Sequence, residues 1–200
     1  MASALMAARG YEGTTLRAIA AEAGVSVGAL YKHFPNKQAV VLALYDQASA
    51  DFVATCTLPE GPWRARFLAA LDHSLATLAP HRPLLAELVP VLVGDRQQGL
   101  FAADTAFSRA RVEGVFLQAA AGAPAAEDLG RSLYLLHLAV VLFWLLDESP
   151  EQQATAAVRR LLAQGLTPLS VALRLPGAAA VLRRLAGALT AGLFGGQGPA

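Results

Sequence analysis

The stretch from Thr14 to Lys37, TTLRAIAAEAGVSVGALYKHFPNK, constrains the fold more than any other part of the sequence. Apolar residues recur at helical spacing across Leu16–Ala23, after threonines whose hydroxyl groups can cap a helix. Gly24 stands where a left-handed residue ends many helices, and Ser26 can cap a second helix over about residues 27–34. Two short helices joined by a three-residue turn with glycine predict a helix-turn-helix.

The second helix of this pair divides into two faces. Leu30 and Phe34 are four residues apart and can both point to a core. The other face can meet DNA, because a cation neutralises phosphate, a phenol bonds phosphate oxygen and a small apolar group can touch a thymine methyl. That face carries Val27, Gly28, Tyr31 and Lys32. Spacing alone also fits a helix-turn-helix that never touches DNA.

The longer string GYEGTTLRAIAAEAGVSVGALYKHFPNK resembles the DNA-binding domain of the TetR family of bacterial transcriptional regulators. The resemblance covers about residues 5–45 and implies an all-α homodimer with a larger C-terminal domain that often binds a small ligand. It also implies a set of DNA contacts: Thr15, Arg17, Ser26, Val27, Gly28, Tyr31, Lys32, His33 and Lys37. One departure is that only MASALMAAR precedes Gly10, so the first helix is short and must rely on tertiary packing.

The composition fits a helical protein of the cytosol. Apolar residues make up 55% of the chain, with much alanine and leucine, and no stretch has the alternating pattern of strands. The net charge of +1 excludes a uniformly basic nucleic-acid coat, yet four basic residues stand against two acidic ones before Asp46. Cys56 is the single cysteine, which excludes an internal disulfide, and the N-terminus lacks a signal-peptide pattern. We therefore expect a cytoplasmic protein.

Proline and glycine breaks divide the chain into a DNA-binding domain over residues 1–50, a regulatory and dimerisation domain over 51–194 and a disordered tail over 195–200. The predicted helices after the motif are 37–55, 63–78, 84–93 with an interruption at Pro90, 100–121, 127–147, 150–164, a short one at 169–175, and 178–194.

The most apolar of these helices, 127–147, predicts burial on two sides. By the resemblance, it and helix 150–164 form the homodimer interface. A ligand pocket is expected among the helices of residues 63–147, lined by aromatic and aliphatic groups. The candidate lining residues are Phe67, Phe107, Phe116, His137 and Trp144.

Spacings typical of catalytic, metal-binding or phosphate-binding motifs do not occur, so we predict neither enzymatic activity nor a cofactor nor a metal. The leading hypothesis is a transcriptional regulator, most simply a repressor that a small apolar or aromatic effector releases from a double-stranded DNA operator. The alternative is a helical interaction or membrane-surface protein with a degenerate DNA-binding domain. It draws on the short first helix and on the arginines of the C-terminal helix.

Overall fold

The structure, a computed structural model, describes residues 2–94 and 99–195. Within these ranges the chain forms α-helices and short 3-10 turns without a β-strand, which confirms the all-α prediction. The predicted disordered tail lies outside the described residues except for Gly195. The helices are α1 (Ala2–Arg9), α2 (Leu16–Ala23), α3 (Val27–His33), α4 (Lys37–Thr55), α5 (Trp63–Leu78), α6 (Arg82–Gly94), α7 (Ala106–Ala120), α8 (Ala126–Leu145), α9 (Gln153–Ala172) and α10 (Ala178–Phe194).

Helices α1 to α3 and the first half of α4 surround a small apolar core. The short α1 buries Leu5 and Met6 there, so tertiary packing holds a helix too short to be stable alone. The core is completed by two leucines of α6, Leu84 and Leu88. The N-terminal unit therefore depends on a helix that lies more than forty residues further along the chain.

Helix α4 also belongs to two parts of the molecule. Val40 and Val41 lie in the N-terminal core, whereas Phe52 lies in the larger core of the C-terminal unit. The boundary predicted near residue 50 falls inside this unbroken helix. The two units are thus joined by shared helices.

The larger core is built mainly from α5, α7 and α8, with Phe67, Leu71 and Phe116 fully buried. Helices α7 and α8 approach closely at Gly130. A Cβ atom on Gly130 would lie 2.8 Å from the Cα of Leu117. Glycine is needed here because real Cβ atoms do not come so near backbone atoms.

Among the described residues, α8 is the helix long and apolar enough to cross a bilayer by length and composition. It packs against α6, α7 and α10, and it buries Leu129, Leu133 and Trp144. Part of the apolar run of α8 is thus buried in the helical core, whereas Phe143 stays 41% exposed.

Several predicted helix ends are corrected by the structure. Pro90 does not interrupt α6 and Pro168 lies within α9, so the separate short helix at 169–175 does not form. Each proline removes one backbone hydrogen bond from its helix, yet the helix continues past it. Residues 100–105 form turns before α7, because Thr105 and Arg109 donate hydrogen bonds to the carbonyls of Leu100 and Ala102.

Candidate nucleic-acid interface and ligand cavity

The helix-turn-helix forms as its capping residues predict. Thr15 Oγ1 accepts a hydrogen bond from the Ala18 amide at 3.1 Å and begins α2. Gly24 adopts the left-handed conformation, with φ of 67°, and ends that helix. Ser26 Oγ then accepts from the Ala29 amide at 3.1 Å and begins α3. Local hydrogen bonds thus fix the turn that orients α3.

The two faces of α3 are divided as the sequence predicts. Leu30 is buried in the N-terminal core, whereas Gly28, Tyr31 and Lys32 are exposed. Tyr31 keeps 51% of its surface exposed, so its ring and hydroxyl group are open to a partner. An exposed phenol beside an exposed cation suits a phosphate backbone.

The remaining predicted contacts lie around this face with differing exposure. Thr15, Arg17, Ser26 and His33 are exposed. Val27 is half-buried and packs against the N-terminal core, so less of its side chain is free than the sequence suggests.

Lys37 has partners within the protein. Its Nζ donates to the Tyr11 carbonyl at 2.5 Å and lies 3.9 Å from the centroid of the Tyr11 ring. The carboxylate of Glu12 is 3.8 Å away. These contacts tie the start of α4 to the loop before α2. Lys37 therefore positions α4, and its contact with DNA stays a prediction.

Sequence reasoning missed the packing of the loop between α1 and α2. Thr14 is buried and donates a hydrogen bond to the Gly10 carbonyl at 2.8 Å. A Cβ atom on Gly13 would lie 2.3 Å from the carbonyl oxygen of Arg9, so only glycine fits. Tyr11 in turn donates its amide hydrogen to Glu87 Oε2 of α6 at 3.0 Å. The pair of glycines around Tyr11 and Glu12 was the available signal.

A largely apolar cavity lies between α4, α5, α6 and α8. It has about 840 Å³ of space outside the atoms, counting its opening to solvent. The face of α8 toward it carries Tyr134, His137, Leu138, Val141 and Leu145. The side chains from α4 are Tyr45, Ala48, Ser49 and Phe52, and those from α6 are Leu85, Val89, Leu92 and Val93.

Of the five predicted pocket residues, the structure brings His137 to this cavity. Phe67 and Phe116 are fully buried core residues whose ring centroids are 6.0 Å apart. Trp144 points away, and its Nε1 donates to Gln152 Oε1 at 2.6 Å. Phe107 is 73% exposed and lies against the Arg111 guanidinium. The pocket prediction is wrong for the other four residues because helical register, and not aromatic character, determines which side chains face a cavity.

Two of the polar rings on the cavity wall, both on α8, are incompletely bonded. His137 Nε2 lies 2.7 Å from Ser74 Oγ, but its Nδ1 is buried without a hydrogen-bond partner among the described residues. Tyr134 Oη is likewise buried and unpartnered there. Burial lowers the pKa of His137 to about 3 and raises the pKa of Tyr134, so both groups are neutral near pH 7.

Comparisons with known proteins agree with the helix-turn-helix and with the helical fold. Residues 1–44 fit the family model described as bacterial regulatory proteins, tetR family. The fold resembles the crystal structure of a TetR-family transcriptional regulator from Streptomyces coelicolor, with a TM-score of 0.61 and 22% identity over 94% of this chain and 85% of that chain. No curated protein matches the sequence. Residues 1–44 thus carry the DNA-binding domain of the tetR family of bacterial regulatory proteins, and the helical fold beyond them is similar to that of a TetR-family regulator.

Proposed function

We propose that the protein is a transcriptional repressor of the cytoplasm, and that a small apolar molecule in the cavity releases it from its operator. The observation that carries the proposal is the position of α4 and α6. Each helix packs one part of its surface in the N-terminal core and another part against the cavity. A molecule that reshapes the cavity must act on both helices, and both support α3.

The coupling through α6 has two components. Leu84 and Leu88 pack under α1, while Leu85 and Val89, their neighbours in sequence, line the cavity. Glu87 adds the hydrogen bond to the Tyr11 amide, and Tyr11 in turn holds Lys37 at the start of α4. A shift of α6 would therefore reach α3 by packing and by hydrogen bonds. Two states with different ligand affinities are the requirement for such a switch.

Lys32 tests the DNA-binding face. We expect Lys32→Ala to weaken binding to every DNA sequence and to lower the salt slope by about one unit per subunit, because one phosphate contact is lost. Glu22→Ala, which changes an exposed charge on α2, serves as the control. Affinity is measured by fluorescence anisotropy on genomic fragments that the wild-type protein selects. Equal affinities of wild-type and Lys32→Ala protein at all salt concentrations would contradict this orientation of α3.

We also propose a homodimer, with α9 and α10 supplying an apolar contact face. Helix 127–147 packs part of its surface against α6, α7 and α10, and helix 150–164, the other expected interface helix, forms the 3-10 turn at 150–152 and the first part of α9. Aliphatic side chains are exposed along the outer faces of α9 and α10. They are Leu161, Leu169, Val171, Val181, Leu185 and Leu189. A second copy could cover this face around a two-fold axis, which suits a near-palindromic operator with half-sites about one helical turn apart.

The dimer is tested by charge insertion. We expect Leu185→Glu to produce a monomer in sedimentation velocity and to weaken operator binding at least tenfold. Ala110→Glu, on the exposed face of α7, is the matched control and should remain dimeric. A Leu185→Glu protein that stays dimeric would contradict this interface. A wild-type monomer that binds anionic vesicles would favour the membrane-surface alternative.

A further inference from the structure

The residues that line the proposed effector cavity restrict the chemical class of ligand that it can bind. Among residues 2–94 and 99–195, none of those that line it is charged. Two arginines of α7 lie near it and have partners within the protein: Arg109 donates hydrogen bonds to the Leu100 and Ala102 carbonyls, and Arg111 lies 3.3 Å from the Asp46 carboxylate. His137 is neutral. A carboxylate or an amine in this space would lose its hydration without gaining an opposite charge, which is costly.

The hydrogen bond between Ser74 and His137 indicates which nitrogen of the His137 ring carries the proton. In the described part of the chain, the partner of the buried Ser74 hydroxyl is His137 Nε2. If Ser74 donates, its proton is satisfied and the ring carries its own proton on Nδ1. If Ser74 accepts instead, its proton and the Nδ1 lone pair both stay unpaired. The first arrangement leaves fewer polar groups unsatisfied and is therefore favoured.

Two cavity-lining residues thus each hold a buried donor without an acceptor among the described residues, Tyr134 Oη–H and His137 Nδ1–H. The two rings are three residues apart on α8, and their centroids are 6.2 Å apart. Side chains at this spacing lie on the same helix face. Each unpaired donor costs free energy in the empty protein, and an acceptor oxygen on a ligand would recover it.

We propose that the cavity binds an uncharged, mainly hydrocarbon molecule with one carbonyl oxygen, which accepts hydrogen bonds from Tyr134 and His137. The proposal rests on this cavity being the effector site of the proposed function. It adds a polarity requirement to the apolar ligand that the sequence suggests. It also assigns Tyr134 and His137 as the residues that determine specificity.

The test uses three probes of one shape: acetophenone, α-methylstyrene, in which a methylene group replaces the carbonyl oxygen, and benzoate. Binding to the full-length protein is measured by NMR titration without DNA. We expect acetophenone to bind about tenfold more tightly than α-methylstyrene, since one buried hydrogen bond contributes about that much. Benzoate should bind at least tenfold more weakly than acetophenone. Equal affinities for ketone and alkene, preference for benzoate, or binding of none of them would overturn the proposal.

Tyr134→Phe is the matched variant, because it removes only the unpartnered hydroxyl. We expect it to reduce the advantage of acetophenone at least threefold and to leave the affinity for α-methylstyrene unchanged. The ring nitrogens of His137 provide a second readout, since ¹⁵N chemical shifts identify the protonated nitrogen. A proton on Nε2 in the free protein, or an Nδ1 signal that acetophenone does not move, would overturn the proposal. Because no DNA is present, failure of operator release would refute the proposed function and leave this result intact.

Discussion

Gly130 offers the sharpest test of how the cavity-bearing domain is packed. A Cβ atom at this position would lie 2.8 Å from the Cα and 2.8 Å from the Cδ2 of Leu117. The leucine methyl group could rotate away, but the Cα atom belongs to the backbone of α7. Gly130→Ala therefore requires α7 and α8 to separate by several tenths of an ångström along their extensive contact.

The magnitude follows from two opposing terms. Replacement of glycine by alanine inside a helix stabilises it by about 1 kcal/mol. Overpacking of a close helix contact costs about 1–3 kcal/mol. We expect the overpacking to exceed the helical gain, because the nearest atom is backbone, and the free energy of unfolding to fall by up to about 2 kcal/mol.

The matched control is Gly114→Ala on α7, where the added Cβ atom meets nothing within 4 Å. That variant should gain up to about 1 kcal/mol from helix propensity alone. Urea unfolding followed by circular dichroism measures both variants at a fixed protein concentration. If Gly130→Ala is stabilised as much as Gly114→Ala, the close approach of α7 and α8 is refuted.

Two further predictions concern the N-terminal loop and pH. Gly13→Ala should abolish operator binding and lower hydrogen-exchange protection in α1 and α2, because the added Cβ atom would lie 2.3 Å from the Arg9 carbonyl oxygen. The core formed by α5, α7 and α8 should keep its protection. Unchanged protection in α1 and α2 would contradict this prediction. Burial lowers the pKa of His137 from 6.5 to about 3, so the unfolded chain binds more protons than the folded one between these values. The free energy of unfolding should therefore fall on acidification from pH 6.5 toward 3, by up to about 1.4 kcal/mol per pH unit. In urea unfolding, His137→Gln should lose this pH dependence, whereas His81→Gln, at an exposed site, should retain it.

The parts of the fold that sequence predicted well are those fixed by local chemistry. Thr15, Gly24 and Ser26 act within three or four residues of themselves, so their capping roles can be read without knowledge of the tertiary structure. The TetR resemblance of the N-terminal stretch rests on the same local pattern and is confirmed. The long helices followed from alanine and leucine content, although Pro90 was wrongly expected to interrupt one.

The cavity could not be predicted in the same way, because it depends on how separate helices are rotated against one another. The aromatic character of Phe107 and Trp144 favoured a pocket wall, yet one is exposed and the other faces Arg82 and Gln152. Tyr134 was missed, since nothing local separates a cavity tyrosine from a core one. The dimer face presents the same problem, because the apolar character of helix 127–147 does not reveal which of its sides other helices cover.

The most direct test of the proposed control of DNA binding by the cavity is to fill the cavity by mutation. Leu138 lines the cavity from α8, a helix outside the N-terminal core, so Leu138→Trp should imitate a bound ligand. Ala110→Trp, on the exposed face of α7, is the control. For a Leu138→Trp protein with wild-type helical content by circular dichroism, anisotropy on operator DNA should show affinity reduced about tenfold, within the usual range of allosteric coupling. Operator affinity equal to that of Ala110→Trp would contradict the claim that the cavity controls the DNA-binding unit.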